Sequence, residues 1–329
     1  MKRLIIISIL LLAYFKVSAL EHSWSNTLQA MLNNDNCLTI DYKPELQISQ
    51  QISENYFIDF DFIHALNFQT DFDTSNSELN NQTYRAWLRL AGDHFSLRGG
   101  RQKINFGPAR LLRTLRWFDT LNPLDPRQES TGVDALMARY YFLDNQNIWF
   151  WLIDCEKGEM KGNESLASGE NIEPGFRVQI PWDSAEFGLS AHHRRLESQE
   201  DQTKIAGDFF IDYILGFWGE YSYQIQTDQN KNQFTLGTDY TVSFITGLHF
   251  TGEYYQGVND QAQLALSLDF PVSIFDTAMI SYFYQEDGAS VSANWQRTYD
   301  QFSWYLIMSH SDYFDKTKNS INVNVSYNF

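Results

Sequence analysis

The sequence predicts an all-β protein, a transmembrane antiparallel up-and-down β-barrel of 18 strands, and three observations predict it. Apolar and polar residues alternate up to the last residue. Aromatic content is high on a polar average. After the N-terminus, no apolar run is long enough for a membrane helix. Of 329 residues, 18 are Tyr, 25 Phe and 9 Trp, yet the mean hydropathy is −0.39. Strands that turn one face to lipid and the other to water give that combination, because every second side chain is polar.

The N-terminus sets the compartment. Lys2 and Arg3 precede an apolar run from Leu4 to Phe15, and Val17-Ser18-Ala19 offers small residues at a cleavage site. This is the pattern of a secretory signal peptide over residues 1–19. The run is shorter than the roughly 20 residues a spanning helix needs. Residues 20–329 then form one domain, since a barrel is a single hydrogen-bonded ring.

The strands follow in order. Trp24, Leu28 and Ala30 sit on an outward-running first strand, and 37–50 returns. Ile58, Phe60, Phe62, Leu66 and Phe68 oppose Asp59, Asp61, Asn67 and Gln69. Phe217, Tyr221, Tyr223 and Ile225 oppose Glu220, Ser222, Gln224 and Gln226, while Leu264, Leu266, Leu268 and Phe270 alternate with Gln263, Ala265, Ser267 and Asp269. The clearest strand is the last: Ile321, Val323, Val325, Tyr327 and Phe329 alternate with Asn322, Asn324, Ser326 and Asn328. Such period-two patterning is the transmembrane strand signature.

Short turns are read at 53–55, 91–93, 144–145, 181–183, 271–272 and 298–300. Longer polar connections alternate with them at 71–81, 107–131, 157–173, 197–203, 227–232, 256–260, 285–288 and 311–318. In bacterial outer-membrane barrels short turns face the periplasm and long loops face out, and strand number is even. The count is 18; 16 is the alternative if 24–31 is a helix or 205–227 divides differently.

Charge is unevenly spread. The formal net charge is −17, and removing Lys2, Arg3 and Lys16 with the signal leaves about −20, which argues against a nucleic-acid partner. Residues 85–139 nevertheless carry ten bases, Arg85, Arg89, Arg98, Arg101, Lys103, Arg110, Arg113, Arg116, Arg127 and Arg139. Five acids accompany them: Asp93, Asp119, Asp125, Glu129 and Asp134. Alternation turns Arg85 and Arg89 inward, opposite Tyr84, Ala86, Leu88 and Leu90, and turns Arg139 inward opposite Ala138 and Tyr140. Continued alternation would leave Arg101 and Lys103 facing lipid, at roughly 2–4 kcal/mol near the midplane. A β-bulge at Gly99-Gly100 would bring Arg98, Arg101 and Lys103 to the water side together.

The connection 107–131 holds Arg110, Arg113, Arg116, Asp119, Asp125 and Arg127 among aromatics and prolines. A loop this long is seldom a loose tether. It is expected to fold toward the lumen, where these charges, with Arg85, Arg89, Arg98, Arg101, Lys103 and Arg139, would line a constriction and favour anions. The alternative is that the arginines pair with lumen carboxylates and hold the wall, or bind lipopolysaccharide phosphates.

Leu97-Arg98-Gly99-Gly100-Arg101-Gln102-Lys103-Ile104-Asn105-Phe106-Gly107, followed by Gly132-Val133-Asp134-Ala135-Leu136, resembles a region of porin-like outer-membrane barrels, the alginate-export type among them. The resemblance covers about a sixth of the chain. It implies an 18-stranded channel with a basic stretch serving anionic solutes or polysaccharide, and marks Arg101 and Gln102 as wall residues. The acidic remainder departs from a wholly electropositive duct. The terminal strand ending in Phe329 is similar to the C-terminal signal of such barrels, which implies the barrel-assembly machinery as a partner.

The expected function is therefore a porin-like channel in the bacterial outer membrane, in contact with lipid and lipopolysaccharide, passing small or polymeric hydrophilic solutes, with no cofactor. A non-conducting surface receptor, scaffold or adhesin is the alternative, with acidic loops 71–81 and 157–173 open to Ca²⁺ or a partner. An enzyme is not expected. His192 and His193 point to opposite faces of a strand and cannot chelate one metal, and no GxSxG accompanies them. Two cysteines, Cys37 and Cys155, rule out paired CxxC zinc sites and leave one disulfide open.

Overall fold

The computed structural model describes residues 20–33, 36–119, 130–154, 172–196, 198, 200–227, 230–243, 247–258, 261–313 and 316–329. The expected signal peptide, Asp125, Arg127 and Cys155 lie outside the described residues. Eighteen strands follow one another: β1 (Leu20–Asn33), β2 (Cys37–Ser53), β3 (Tyr56–Asp71), β4 (Asn76–Ala91), β5 (Phe95–Gln102), β6 (Val133–Tyr141), β7 (Asn147–Ile153), β8 (Glu173–Trp182) and β9 (Ala185–Arg195), then β10 (Asp201–Asp212), β11 (Gly216–Gln226), β12 (Lys231–Val242), β13 (Leu248–Gln256), β14 (Ala262–Pro271), β15 (Asp276–Gln285), β16 (Gly288–Tyr299), β17 (Phe302–Tyr313) and β18 (Lys316–Asn328).

Each strand is antiparallel to its sequence neighbours, and β1 pairs with β18 from Thr27 against Asn328 to Asn33 against Asn322. The ring closes. Asn26 and Phe329 exchange backbone hydrogen bonds of 2.9 and 3.0 Å at the seam. Closure pairs backbone groups that hydrocarbon could not solvate. Residues 24–31 are strand, so the 16-strand alternative falls away.

Alternation decides which way each side chain points. On β14 Leu266 is exposed outward, while Ala265 and Ser267 are buried inward. On β18 Ile321 and Val323 face out and Asn324 is buried. The short turns use residues that tolerate left-handed backbone: Asn145, Asp183 and Asp300 have φ of 65°, 54° and 51°.

Two expected loops are shorter than the sequence suggested. The connection read at 71–81 is a turn over 72–75, and that at 311–318 leaves β17 at Tyr313 and enters β18 at Lys316. Ser77, Glu78, Asn80 and Asn81 are polar on both faces, so alternation carries no signal there although pairing with β3 continues.

The bulge is also elsewhere. Through Gly99 and Gly100 the β4–β5 and β5–β6 registers run without a shift. Arg101 therefore stays on the outward face with Leu97, opposite Ala86 and Asp134, and its Nη2 reaches Asp134 Oδ2 at 2.7 Å. The sequence argument assumed a cation near the midplane. Arg101 stands one residue from the end of β5, where a lipid-facing charge costs only about 0–1 kcal/mol, and Asp134 neutralises it. Register shifts lie between β2 and β3 at Gln51/Ser53 and between β3 and β4 at Ile63/His64, the second of which leaves Tyr84 of β4 as the extra residue.

The interior carries an apolar core of its own. Ile104, Phe106, Leu115, Trp117 and Phe118 of the β5–β6 connection pack with Val133, Ala135, Met137, Trp149, Trp151, Ile153 and Ala206 of the wall. This explains β7, which is apolar on both faces. Phe150 and Leu152 face out, whereas Trp149, Trp151 and Ile153 meet the connection inside.

Candidate functional site

The site is built where the β5–β6 connection meets the inner wall. Residues 103–119 leave the short wall formed by β5 and β6 and reach across to β11–β13. Two wall glutamates receive them. Glu220 of β11 accepts the backbone N–H groups of Ala109 at 2.9 Å and Leu115 at 2.8 Å. Glu253 of β13 accepts those of Arg110 at 2.7 Å, Leu111 at 2.9 Å and Leu112, together with Trp218 Nε1 at 2.9 Å. Both glutamates are buried. Bonds to a carboxylate contribute about 1.5–3 kcal/mol each, against about 1 for neutral pairs. Thr114 and Thr235 add a hydroxyl contact of 2.9 Å, and Thr235 donates to Leu112 O at 2.6 Å. Gly107 allows the approach: its φ is +91°, and a Cβ there would stand 2.2 Å from Glu220 Oε1.

On the other flank the attachment is aromatic. Phe106 meets Trp117 edge-on at 5.3 Å and Phe118 meets His192 at 4.8 Å. Below this layer, His192 Nε2 lies 3.3 Å from Glu173, Arg194 Nε lies 2.8 Å from the same carboxylate, and Trp151 Nε1 donates to His192 Nδ1 at 3.3 Å. A cavity of about 410 Å³ opens beside the segment, lined by Asn105, Phe106, Trp149, Arg177, Asp208 and Phe210 among others. A larger hollow of about 510 Å³ lies against outward apolar residues such as Phe217, Tyr240 and Leu266 and belongs to the lipid face.

Five of the ten basic residues singled out in the sequence sit on acids, Arg101 on Asp134 among them. Arg85 bonds Asp61 at 3.2 Å and lies 3.7 Å from Glu45. Arg89 makes two bonds to Asp59, at 2.8 and 2.6 Å. Arg110 reaches Asp239 at 2.6 Å and lies over the Trp218 ring. Arg113 bonds buried Asp119 at 2.8 Å, and also Asn105. Arg116 lies near Tyr255 of β13. Lys103, just past β5, is half-buried near Arg85 and Asp119, and burial pulls its ammonium below the usual lysine value. For Arg85, Arg89, Arg110 and Arg113 the pairing alternative fits the geometry.

Arg98 and Arg139 are different. Each stacks on an indole, Arg98 over Trp87 at 4.5 Å and Arg139 over Trp149 at 3.7 Å. Neither has a carboxylate within ion-pair distance among the described residues. Register sets Arg98 directly against Arg89, and Arg139 against Ser96, two residues along β5. The three guanidiniums thus form a row on consecutive strands near the turn 92–94. Stacking on tryptophan holds a cation without neutralising it, at about 0.5–2 kcal/mol.

Sequence reasoning missed the partners that fix this geometry. Glu220 was legible as inward-facing, but nothing announced that it would hold a loop. Buried Arg177, bound to Asp208 at 2.6 and 2.9 Å and to Ser190 at 3.0 Å, was also missed. The unbroken apolar run Asn147–Ile153, NIWFWLI, was the available signal that something apolar lay inside.

No protein-family model matches the chain, and no curated protein matches it. Its fold is found among solved structures. OccK5 (OpdH) of Pseudomonas aeruginosa superposes with a TM-score of 0.65 at 9% identity, covering 96% of this chain and 99% of that one. OpdK of Pseudomonas aeruginosa, solved with vanillate, gives 0.62 at 10%, covering 95% and 99%. An anion-selective porin from Comamonas acidovorans gives 0.54 at 11%, covering 94% and 100%. The chain therefore has the fold of an outer-membrane porin barrel.

Proposed function

We propose that the protein is a passive outer-membrane channel that admits small hydrophilic solutes and prefers anions. One observation carries the reading: Arg98 and Arg139 hold uncompensated positive charge on an inner wall whose neighbouring arginines are neutralised. Fixed charge of one sign in a water-filled passage raises the local concentration of the opposite ion. The likeness to a porin described as anion-selective, and to one solved with the carboxylate vanillate, supports the same direction. Lys103 and Arg116 belong to this proposal as further lumen cations, and Arg101 does not, since it faces outward. Contact with lipopolysaccharide, and recognition of the terminal strand ending in Phe329 by the assembly machinery, form part of the same reading.

The test is conductance in a planar bilayer, with the reversal potential under a salt gradient reporting sign preference. Insertion without current would favour the second reading, a non-conducting surface receptor, which the dense interior core of Phe106, Trp117 and Phe118 makes worth testing. A hydrolase is disfavoured, because His192 is buried under the segment and engaged by Glu173 and Trp151.

A further inference from the structure

We infer that Glu220 and Glu253 are the positioning residues of an acid-sensitive shutter: ionised, they hold residues 107–115 against the β11–β13 wall, and protonated, they release them. The inference rests on the channel reading and goes beyond it. Its basis is that the segment has two unlike attachments. On one flank, burial of Phe106, Trp117 and Phe118 is indifferent to the charge of a carboxylate. On the other, five backbone N–H groups converge on two carboxylates.

A carboxylate accepts at both oxygens. A neutral carboxyl turns one oxygen into a donor that meets N–H groups head-on, and its remaining bonds lose the charge-assisted strength. The aromatic flank stays as the pivot while the other flank lets go. Gly107 lies between the two attachments, with the backbone freedom a pivot requires.

The surrounding charges act with the clasp or leave it alone. Arg113 of the segment and Asp208 of β10 face Glu220. Around Glu253 stand Trp218, Arg110 with Asp239, and His249, which lies 3.5 Å from Asp239 and 3.2 Å from Arg110. Arg116 and Tyr255 complete the β13 side.

The experiment is single-channel conductance of the full chain at neutral pH and at about pH 4, within the range where carboxylates take up protons. The native protein is expected to step to a higher conductance on acidification. Glu220→Gln with Glu253→Gln should be high at neutral pH and lose the acid step. As a lock, Thr114→Cys with Thr235→Cys, placed in a Cys37→Ser, Cys155→Ser background, should stay low at both pH values when oxidised and regain the step on reduction. Retention of the step by the Gln pair or by the oxidised lock overturns the proposal, as does a flat native profile. If the Gln pair fails to assemble, the lock decides. A native barrel that inserts and never conducts refutes the channel reading itself, whereas a conducting barrel with a flat profile refutes only the shutter.

Discussion

Replacing Arg98 and Arg139 together by Gln gives the sharpest test of the selectivity argument, because its size can be worked out. A wall guanidinium about 6 Å from the path of a hydrated ion, at water-like dielectric, contributes about 0.7 kcal/mol, and two contribute roughly 1.4. Screening with a Debye length of about 10 Å at 0.1 M leaves about 0.8 kcal/mol, and with about 3 Å at 1 M leaves about 0.2. Anions are then enriched about fourfold in dilute salt and cations depleted by the same factor. The anion-to-cation permeability ratio should therefore fall by roughly tenfold at 0.1 M and only about twofold at 1 M. Reversal potentials across a salt gradient at both strengths read this directly. A control removes the compensated pair, Arg89→Gln with Asp59→Asn, which takes away no net charge and should leave the potential in place. An unchanged potential in the Arg98, Arg139 variant at low salt would refute the reasoning. A change equal at both salt strengths would refute its electrostatic basis.

Other consequences can be checked separately. Arg177→Met strands Asp208, whose side chain is 4% exposed, and should destabilise the barrel by about 3–5 kcal/mol, read by urea unfolding in vesicles; Asp208→Leu in the same chain should recover part of the loss. Trp117→Ala empties a fully buried site at a cost of about 3–5 kcal/mol, and trypsin should then cut faster after Arg110, Arg113 and Arg116 than in the native barrel. Lys103, with its ammonium value lowered by burial, has the larger neutral fraction at mildly alkaline pH. Amine-reactive labelling followed by mass spectrometry should therefore place its reaction midpoint below that of a free lysine side chain.

Much of the fold was legible because lipid enforces a rule at every second residue. β14 and β18 could be read from alternation alone, and the turns at Asn145, Asp183 and Asp300 from side chains that tolerate left-handed backbone. The rule lapses where lipid does not reach. Asn76 to Asn81 pair with β3 above the apolar belt and looked like loop because both faces are polar. Arg101 misled for a related reason, since alternation reports the face but not the height, and height decides whether a charge needs rescue. At the site, the basic window singled out β4–β6 and the connection between β5 and β6. Whether an arginine is free or neutralised depends on its neighbours in register: Asp59 and Asp61 come from the adjoining strand β3, and Asp239 from β12, far along the chain. Glu253 carried no local mark at all: its role comes from facing a segment 141 to 143 positions away.

The apolar interior also bears on how the molecule is made. The wall that holds Trp117 and Phe118 runs from β6 to β10, and its continuation to β13 supplies the glutamates, so that docking joins residues 105 to 143 positions apart. Sealing the seam joins Thr27 to Asn328, 301 positions apart. The entropy of bringing chain ends together grows with the span, and non-local pairing is slow. The half-cylinder from β5 to β13 can therefore fill and set its curvature while the seam is still open, using its own packed centre as a former. The arc through β14–β18 and β1–β4 lacks such a centre among the described residues and takes its shape from the bilayer and from that finished half. Pulse labelling of amides during assembly should accordingly protect β7 and β11 ahead of β1 and β18.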